Sequence, residues 1–180
     1  MPIDLHHLLH LPELFRLLRN GRHISVEDGG LYLALRQHTE DYSALFEALG
    51  FHFRQHSRGF FYFEAGSGEL GKEASQFAVF FFVLVESWAD AGRDLETAAF
   101  DPAGHRLSEL PNFSRPSWQQ CMEEAGIDRL EALPELVSRL ERLGFTRRLS
   151  EESFCFRPPA WRFFDLCLAF RPTAEEKPDA

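Results

Sequence analysis

A short pattern, Glu-x-Leu-Gly-Phe, occurs twice in this chain and constrains its fold more than any other feature of the sequence. The first copy covers residues 47–51, and the second covers residues 141–145. In each copy a helical pattern ends at the glycine, and the phenylalanine starts a new segment. Glycine is preferred just past a helix end because it adopts left-handed backbone angles without strain. The repeat therefore predicts that one helix-to-hairpin unit is present twice.

The first copy lies in a predicted unit of three helices and one hairpin. Leucines recur at helical spacing over residues 8–18, and Asn20-Gly21 supplies the stop. Residues 22–26 are predicted as a strand, and two further helices follow, the second of them capped by Thr39. The two-residue alternation that comes next predicts a hairpin over residues 51–63. This order of elements is typical of a winged helix-turn-helix.

The second copy lies in a predicted unit of similar order. A long apolar helix opens this unit, and Pro159 suits the first turn of its last helix. The predicted elements are a helix over residues 70–91, a short strand over 94–98, helices over 117–125 and 130–143, a hairpin over 145–157 and a helix over 161–170.

Together these patterns predict an α+β fold, mainly α, made of tandem winged-helix domains with small β-hairpin wings. The predicted division is a first winged-helix domain at 1–65, a Gly/Ser linker at 66–72, a second winged-helix domain with a C-terminal helix at 73–170, and a flexible tail at 171–180. The longest apolar run, Phe77 to Val85, is far shorter than the roughly 20 residues that a membrane span needs. We therefore expect no membrane partner and a helix that is buried on nearly every side.

Charge and cysteine usage narrow the class of protein. The formal net charge is −9, which argues against non-specific binding of nucleic acid by the whole surface. The three cysteines lack any Cys-x-x-Cys spacing, so neither a disulfide framework nor a zinc-thiolate site is indicated. The N-terminal residues do not form a secretory signal. These features favour the reducing cytoplasm.

The segment from Gly66 to Lys72 fits the GxxxxGK pattern of a phosphate-binding loop. However, Glu73 stands where the pattern requires a serine or threonine hydroxyl for Mg²⁺, and Glu69 adds a second carboxylate that would repel phosphate. The segment is therefore interpreted as a linker. A nucleotide-binding enzyme is the weakest alternative, and ATP binding by the isolated protein would test it.

Other chemical sites find little support in the sequence. His6 and His10 lie one helical turn apart, but they lack a third ligand at zinc-binding spacing. The cysteines lie in apolar segments, where they are interpreted as core residues, and no nucleophile motif is present. We therefore expect no catalytic residues, no metal, no cofactor and no enzymatic activity.

The predicted wings carry the local basic charge. Arg54 and Arg58 lie on the first hairpin, and Arg147 and Arg148 lie on the second. These four residues are candidate contacts to a DNA backbone or to an acidic partner. The alternative is that they keep exposed strand edges soluble and unpaired.

Four segments carry a resemblance to a known family. They are residues 14–21 (Leu-Phe-Arg-Leu-Leu-Arg-Asn-Gly), the stretch from Tyr42 to Phe53, the aromatic strand Phe60-Phe61-Tyr62-Phe63, and the apolar helix through Phe77 to Trp88. In pattern and order the chain resembles the MksE/MukE-like kite subunits of bacterial condensins.

The resemblance implies a non-catalytic, homodimeric accessory subunit. It implies binding to a kleisin-like subunit of the MksF/MukF type and, through it, to an SMC-like ATPase. DNA would be contacted indirectly or weakly, and the subunit would be cytoplasmic and nucleoid-associated. The complex would serve DNA condensation, chromosome organisation and segregation, or plasmid defence.

The alternative function is a free-standing winged-helix transcription regulator that binds DNA. This class of protein needs a recognition helix rich in basic or amide side chains. The stretch from Tyr42 to Glu47 offers almost none, so the accessory subunit is preferred.

Overall fold

The computed structural model describes residues 7–64 and 71–169. Within these residues the chain is mainly helical, with small antiparallel hairpins. This confirms the predicted α+β, mainly α class, whereas the winged-helix arrangement of each half stays a prediction. The helices are α1 (Leu11–Arg19), α2 (Gly30–Gln37), α3 (Thr39–Ala48), α4 (Lys72–Asp90), α5 (Leu95–Ala99), α6 (Pro116–Glu124), α7 (Leu133–Arg142) and α8 (Trp161–Ala169).

The strands of the described residues form two small sheets. They are β1 (Phe53–His56), β2 (Phe60–Phe63), β3 (His105–Arg106), β4 (Thr146–Arg148) and β5 (Ser153–Phe156). Strands β1 and β2 pair in one antiparallel hairpin, and the second sheet has the order β3-β5-β4, also antiparallel. Both predicted hairpins are therefore present, and the second gains an edge strand, β3, that the sequence did not indicate.

The repeated pattern closes two helices in the same way. At the end of α3, the N–H of Gly50 donates to Glu47 O and that of Phe51 donates to Phe46 O, each at 2.9 Å. The end of α7 repeats both bonds at 2.9 Å, from the N–H groups that follow Leu143. This is a Schellman ending, which requires a left-handed residue, and both glycines have φ above +80°. The repeat is thus a repeated helix end.

The buried apolar residues of the described chain form two clusters. One uses residues 8–61 and is rich in leucine and aromatic rings from α1, α2, α3 and the first hairpin. The other uses residues 77–167 and centres on α4, where Phe80 and Phe81 are fully buried. Helix α8 packs along α4 and covers much of this second cluster.

Helix α4 is buried on nearly every side along its apolar run, as expected. Phe82 is 38% exposed and faces away from the second cluster. Within residues 7–64 and 71–169, no helix combines the length and the hydrophobicity that crossing a membrane would take.

Three local predictions were wrong, because short polar contacts decide the structure there. The strand predicted over residues 22–26 is reduced to one bridge between Ile24 and Phe61, since Val26–Asp28 turns into a 3₁₀-helix. Residues 95–99 form helix α5 instead of a strand, because Asp94 accepts a hydrogen bond from the N–H of Thr97 at 2.9 Å.

The third wrong prediction concerns the start of α3. Thr39 does not cap this helix; its hydroxyl donates to Leu35 O at 2.7 Å, back into α2. Residues 1–6, most of the predicted linker at 66–72, and the predicted tail lie outside the described residues. The domain boundaries therefore stay predictions.

Candidate partner-binding surfaces

The two halves of the chain meet where the end of α7 packs against the segment that follows α1. The N–H of His23 donates to Leu143 O at 2.8 Å, and the guanidinium of Arg22 donates to Arg142 O at 3.2 Å. The backbone approach at Gly144 is so close that an added Cβ would lie 2.5 Å from His23 O. The second copy of the repeat is therefore an internal contact site between the halves.

A buried cluster of charges lies beside this contact. The Asp28 carboxylate accepts hydrogen bonds from Arg157 at 2.6 Å, from Arg22 at 2.9 Å and from the Ser25 N–H at 2.9 Å. The Arg157 side chain is only 5% exposed, and its Nε lies 3.4 Å from a Glu27 carboxylate oxygen. Burial alone would raise the pKa of Asp28, but the hydrogen bonds from Arg22, Ser25 and Arg157 outweigh it and lower that pKa.

His23 completes the interface and is held in its neutral form. Arg162 donates to Nε2 of His23 at 2.8 Å, so the ring proton must be on Nδ1, which donates to Leu143 O at 3.3 Å. The ring also packs 4.4 Å, centroid to centroid, from Phe145. Burial and the neighbouring Arg162 charge lower the pKa of His23 to about 3.

The candidate contact residues of the first hairpin are both engaged within the chain. Arg54, on β1, forms an ion pair with Glu64 at 2.9 Å, and its side chain is 46% exposed. Arg58 lies in the β1–β2 turn, where its guanidinium stacks 3.4 Å from the centroid of the Trp161 ring at the start of α8. The tip of the first hairpin is thus held against the second half.

The candidate contact residues of the second hairpin, Arg147 and Arg148, are consecutive on β4. Their side chains therefore lie on opposite faces of the sheet. Arg147 lies 3.3 Å from a Glu27 carboxylate oxygen in the first half, and its side chain is 56% exposed. Arg148 donates to Glu151 O at 2.7 Å and to Pro134 O at 2.9 Å. A contact of any of the four arginines with DNA or a partner stays a prediction.

An apolar groove between α4 and α6 was not predicted from the sequence. Its volume is about 410 Å³, and its apolar lining comes from Val79, Phe82, Cys121 and Ala125. The signal was available in the sequence, because residues 75, 79 and 82 recur at helical spacing on the side of α4 opposite its buried phenylalanines.

Three further kinds of site considered from the sequence are a metal site, a nucleotide site and a reactive cysteine. In the part of the chain that the structure describes, no three His, Cys, Asp or Glu side chains come together as a metal cluster. Residues 66–70 of the GxxxxGK segment lie outside it, and the Glu73 carboxylate lies 3.5 Å from the Arg139 guanidinium. Cys167 is buried, which raises the pKa of its thiol to about 11, as suits a core residue.

A family model described as condensin complex protein MksE matches residues 9–168 of the 180. A comparison with curated proteins gave no match. The family match spans both apolar clusters and the interface between the halves.

Proposed function

This chain belongs to the MksE family of condensin complex proteins, and we propose that it acts there as a non-catalytic accessory subunit. In this role it binds a kleisin-like subunit of the MksF/MukF type and, through that subunit, an SMC-like ATPase. The observation that carries the proposal is the family match over residues 9–168, most of the chain. ATP hydrolysis would belong to the partner.

The interface between the halves supports a scaffolding role. A protein that holds two partners in register needs a frame that does not bend when they bind. Buried Arg157 and the His23–Arg162 contact join the halves through charge-assisted hydrogen bonds, and Arg58 adds its stacking contact on Trp161. These contacts favour one rigid body over two units on a loose tether.

The proposal also covers the setting of the subunit. It forms a homodimer, works in the cytoplasm on the nucleoid, and assists DNA condensation for chromosome organisation and segregation or for plasmid defence. Arg54, Arg58, Arg147 and Arg148 are the residues that we propose for direct contact with DNA or a partner. The side chains of Arg54 and Arg147 are about half exposed, so a partner could reach them.

Co-expression with a kleisin-like protein encoded beside this chain tests the proposal. We expect the two proteins to co-purify at a fixed ratio in size-exclusion chromatography with light scattering, and to capture the SMC-like ATPase as a third component. If neither a binary nor a ternary complex forms, the proposed function is wrong. Sequence-specific binding of duplex DNA by the isolated chain at about 150 mM salt would instead favour the transcription regulator.

A further inference from the structure

Three exposed arginines lie at the junction between the halves. Arg16 and Arg19 occupy the last turn of α1, on the face opposite its two buried leucines, and Arg142 occupies the last turn of α7. Within residues 7–64 and 71–169, the side chains of these three arginines form no ion pair or hydrogen bond. The ends of α1 and α7 meet, because the N–H of His23 donates to Leu143 O at 2.8 Å. The junction therefore gathers cations that lie far apart in the sequence.

The carboxylates inside the junction are already held by other arginines. Asp28 forms ion pairs with Arg22 at 2.9 Å and with Arg157 at 2.6 Å. Glu27 lies 3.3 Å from Arg147 and 3.4 Å from Arg157. These three arginines thus outnumber the two carboxylates, and neither carboxylate is left to pair with the exposed cations.

Two further carboxylates lie near the exposed arginines. The Glu141 carboxylate accepts a hydrogen bond from the N–H of Arg148 at 2.7 Å, and the Arg148 side chain offsets its charge. Glu13 lies in the first turn of α1, at the end of the helix away from the junction. The negative end of α7 is covered, because Arg22 donates to Arg142 O at 3.2 Å. Seven arginines therefore stand against four carboxylates here, in a chain whose formal net charge is −9.

This surface lacks the apolar centre that is typical of a protein-binding site. None of the exposed large apolar residues of the described chain belongs to α1, to α7 or to residues 20–25, and Val26 follows that segment as a single exposed valine. Interfaces with DNA are more polar and much more positively charged than interfaces between proteins. The guanidinium group also matches the geometry of a phosphate. Charge and the lack of apolar anchors together favour a nucleic acid backbone over a protein segment.

We infer that Arg16, Arg19 and Arg142 contact the phosphate backbone of duplex DNA without reading its sequence. The two helix ends hold these arginines on a braced frame, which suits a duplex, whose phosphates also have fixed positions. The inference rests on the part of the proposed function that brings the subunit to DNA. It goes beyond that function by assigning the contact to three arginines outside the predicted wings.

Salt-dependent binding of the isolated chain to a duplex tests this surface. Fluorescence anisotropy of a labelled duplex of about 30 base pairs gives the Kd at several salt concentrations, and each phosphate contact adds about −0.9 to the slope of log K against log salt. Replacing Arg16, Arg19 and Arg142 together by glutamine should weaken binding about tenfold or more at about 50 mM salt, and should make the slope shallower by about 2 to 3.

A matched control removes three exposed arginines elsewhere. Replacing Arg36 on α2, Arg106 on β3 and Arg129 ahead of α7 by glutamine makes the same change in net charge away from the junction. Binding by this control should stay within about twofold of the wild type, because salt screens distant charges. Thermal unfolding verifies that both triple variants are folded. Equal weakening by the two variants overturns the inference, since net charge alone would then explain the binding.

Two comparisons test the identity of the ligand. A second duplex of unrelated sequence should bind with the same Kd within about threefold, because phosphate contacts carry no sequence information. A polyglutamate peptide of equal total charge should bind more weakly than the duplex, since a flexible chain loses conformational entropy on binding. Equal or tighter binding of the peptide would identify an acidic protein segment as the partner and overturn the inference.

The outcomes separate this inference from the proposed function. If the kleisin-like subunit co-purifies with the wild type, but the isolated chain binds no duplex at about 50 mM salt, the DNA-contacting surface is wrong and the proposed function stands. If no complex forms, but the junction variant alone loses DNA binding, the proposed function fails and the surface stands.

Discussion

Arg162 donates a hydrogen bond to Nε2 of His23 across 2.8 Å, which ties the last helix of the described chain to the segment that follows the first. An arginine can only donate, so the contact exists only while the histidine is neutral at that nitrogen. Protonation of His23 would place two positive charges in contact within a buried interface. The junction between the halves is therefore sensitive to acid.

The first prediction is a loss of stability on acidification through His23. Its pKa is about 3 in the folded protein and 6.5 in the unfolded chain, so between these values only the unfolded chain takes up the proton. The free energy of unfolding should be unaffected by His23 above pH 6.5 and fall by about 1.4 kcal/mol per pH unit below it. The fall should level off as the pH approaches 3. Urea unfolding at half-unit pH steps measures it.

The variant His23→Gln isolates this contribution. A glutamine can accept from Arg162 and donate to Leu143 O, but it does not titrate. The other two histidines whose pKa burial lowers, His56 and His105, remain in both proteins and cancel in the comparison. Equal pH slopes for the wild type and His23→Gln between pH 6.5 and 4 would show that His23 has no part in the acid sensitivity.

The second prediction compares the two glycines of the repeated pattern. Gly50 and Gly144 have nearly equal φ values, +83° and +87°, so alanine costs about 1 kcal/mol of backbone strain at either position. At Gly50 an added Cβ meets nothing within 4 Å, whereas at Gly144 it would lie 2.5 Å from the carbonyl oxygen of His23. Gly144→Ala should therefore cost about 1–3 kcal/mol more than Gly50→Ala. Thermal unfolding measures both, and equal losses would contradict the close contact.

The same pair of glycines shows how much of the fold the sequence predicts. The Glu-x-Leu-Gly-Phe repeat correctly located two helix ends and the hairpin after each, because helix endings and strand alternation depend on neighbours in the chain. It could not reveal that the glycine of the second copy lies against the backbone of the other half, whereas Gly50 faces open space. That contact joins residues about 120 positions apart, and nothing in the local pattern distinguishes Gly144 from Gly50.

The contacts that the four candidate arginines make within the chain could not be predicted from the sequence. The four wing arginines were selected for their charge, yet Arg58 stacks on Trp161 and Arg147 pairs with Glu27, both in the opposite half. Pairing of this kind depends on how the halves pack. The apolar run of α4 was taken as a sign of burial, and the exposure of Phe82 depends on which neighbouring helices fail to cover that side.

The third prediction concerns the buried partner of Arg157. In Asp28→Asn the Arg157 guanidinium, 5% exposed, loses its shortest ionic contact and keeps the Glu27 carboxylate as its remaining ion-pair partner. Removing one member of a buried pair leaves an uncompensated charge, so we expect a loss of about 3 kcal/mol at pH 7. The exposed pair of Arg54 offers a control, since Glu64→Gln should cost less than about 1 kcal/mol.

The pH dependence of the stability of Asp28→Asn gives a second test of the Asp28–Arg157 ion pair. The pKa of Asp28 is held below its ordinary value of 3.8, so its stabilisation is present above that value and is lost as the pH falls through the lowered pKa. The difference in unfolding free energy between the wild type and Asp28→Asn should therefore be constant above about pH 5 and shrink below pH 4. A difference that grows on acidification would exclude this ion pair as its source.

The last prediction separates the internal role of Arg58 from that of Arg54. The Arg58 guanidinium stacks on the ring of Trp161, a residue that is 7% exposed. A cation over an indole ring contributes about 0.5–1 kcal/mol at an exposed position. Arg58→Gln should lower the melting temperature by about 1–4 degrees and by more than Arg54→Gln, because the ion pair of Arg54 with Glu64 is exposed and contributes little. The two variants remove the same charge from the same hairpin, so a difference between them reflects the stacking on Trp161. Equal melting temperatures, together with weaker binding of the kleisin-like subunit by both variants, would mean that the first hairpin serves the partner and not the junction between the halves.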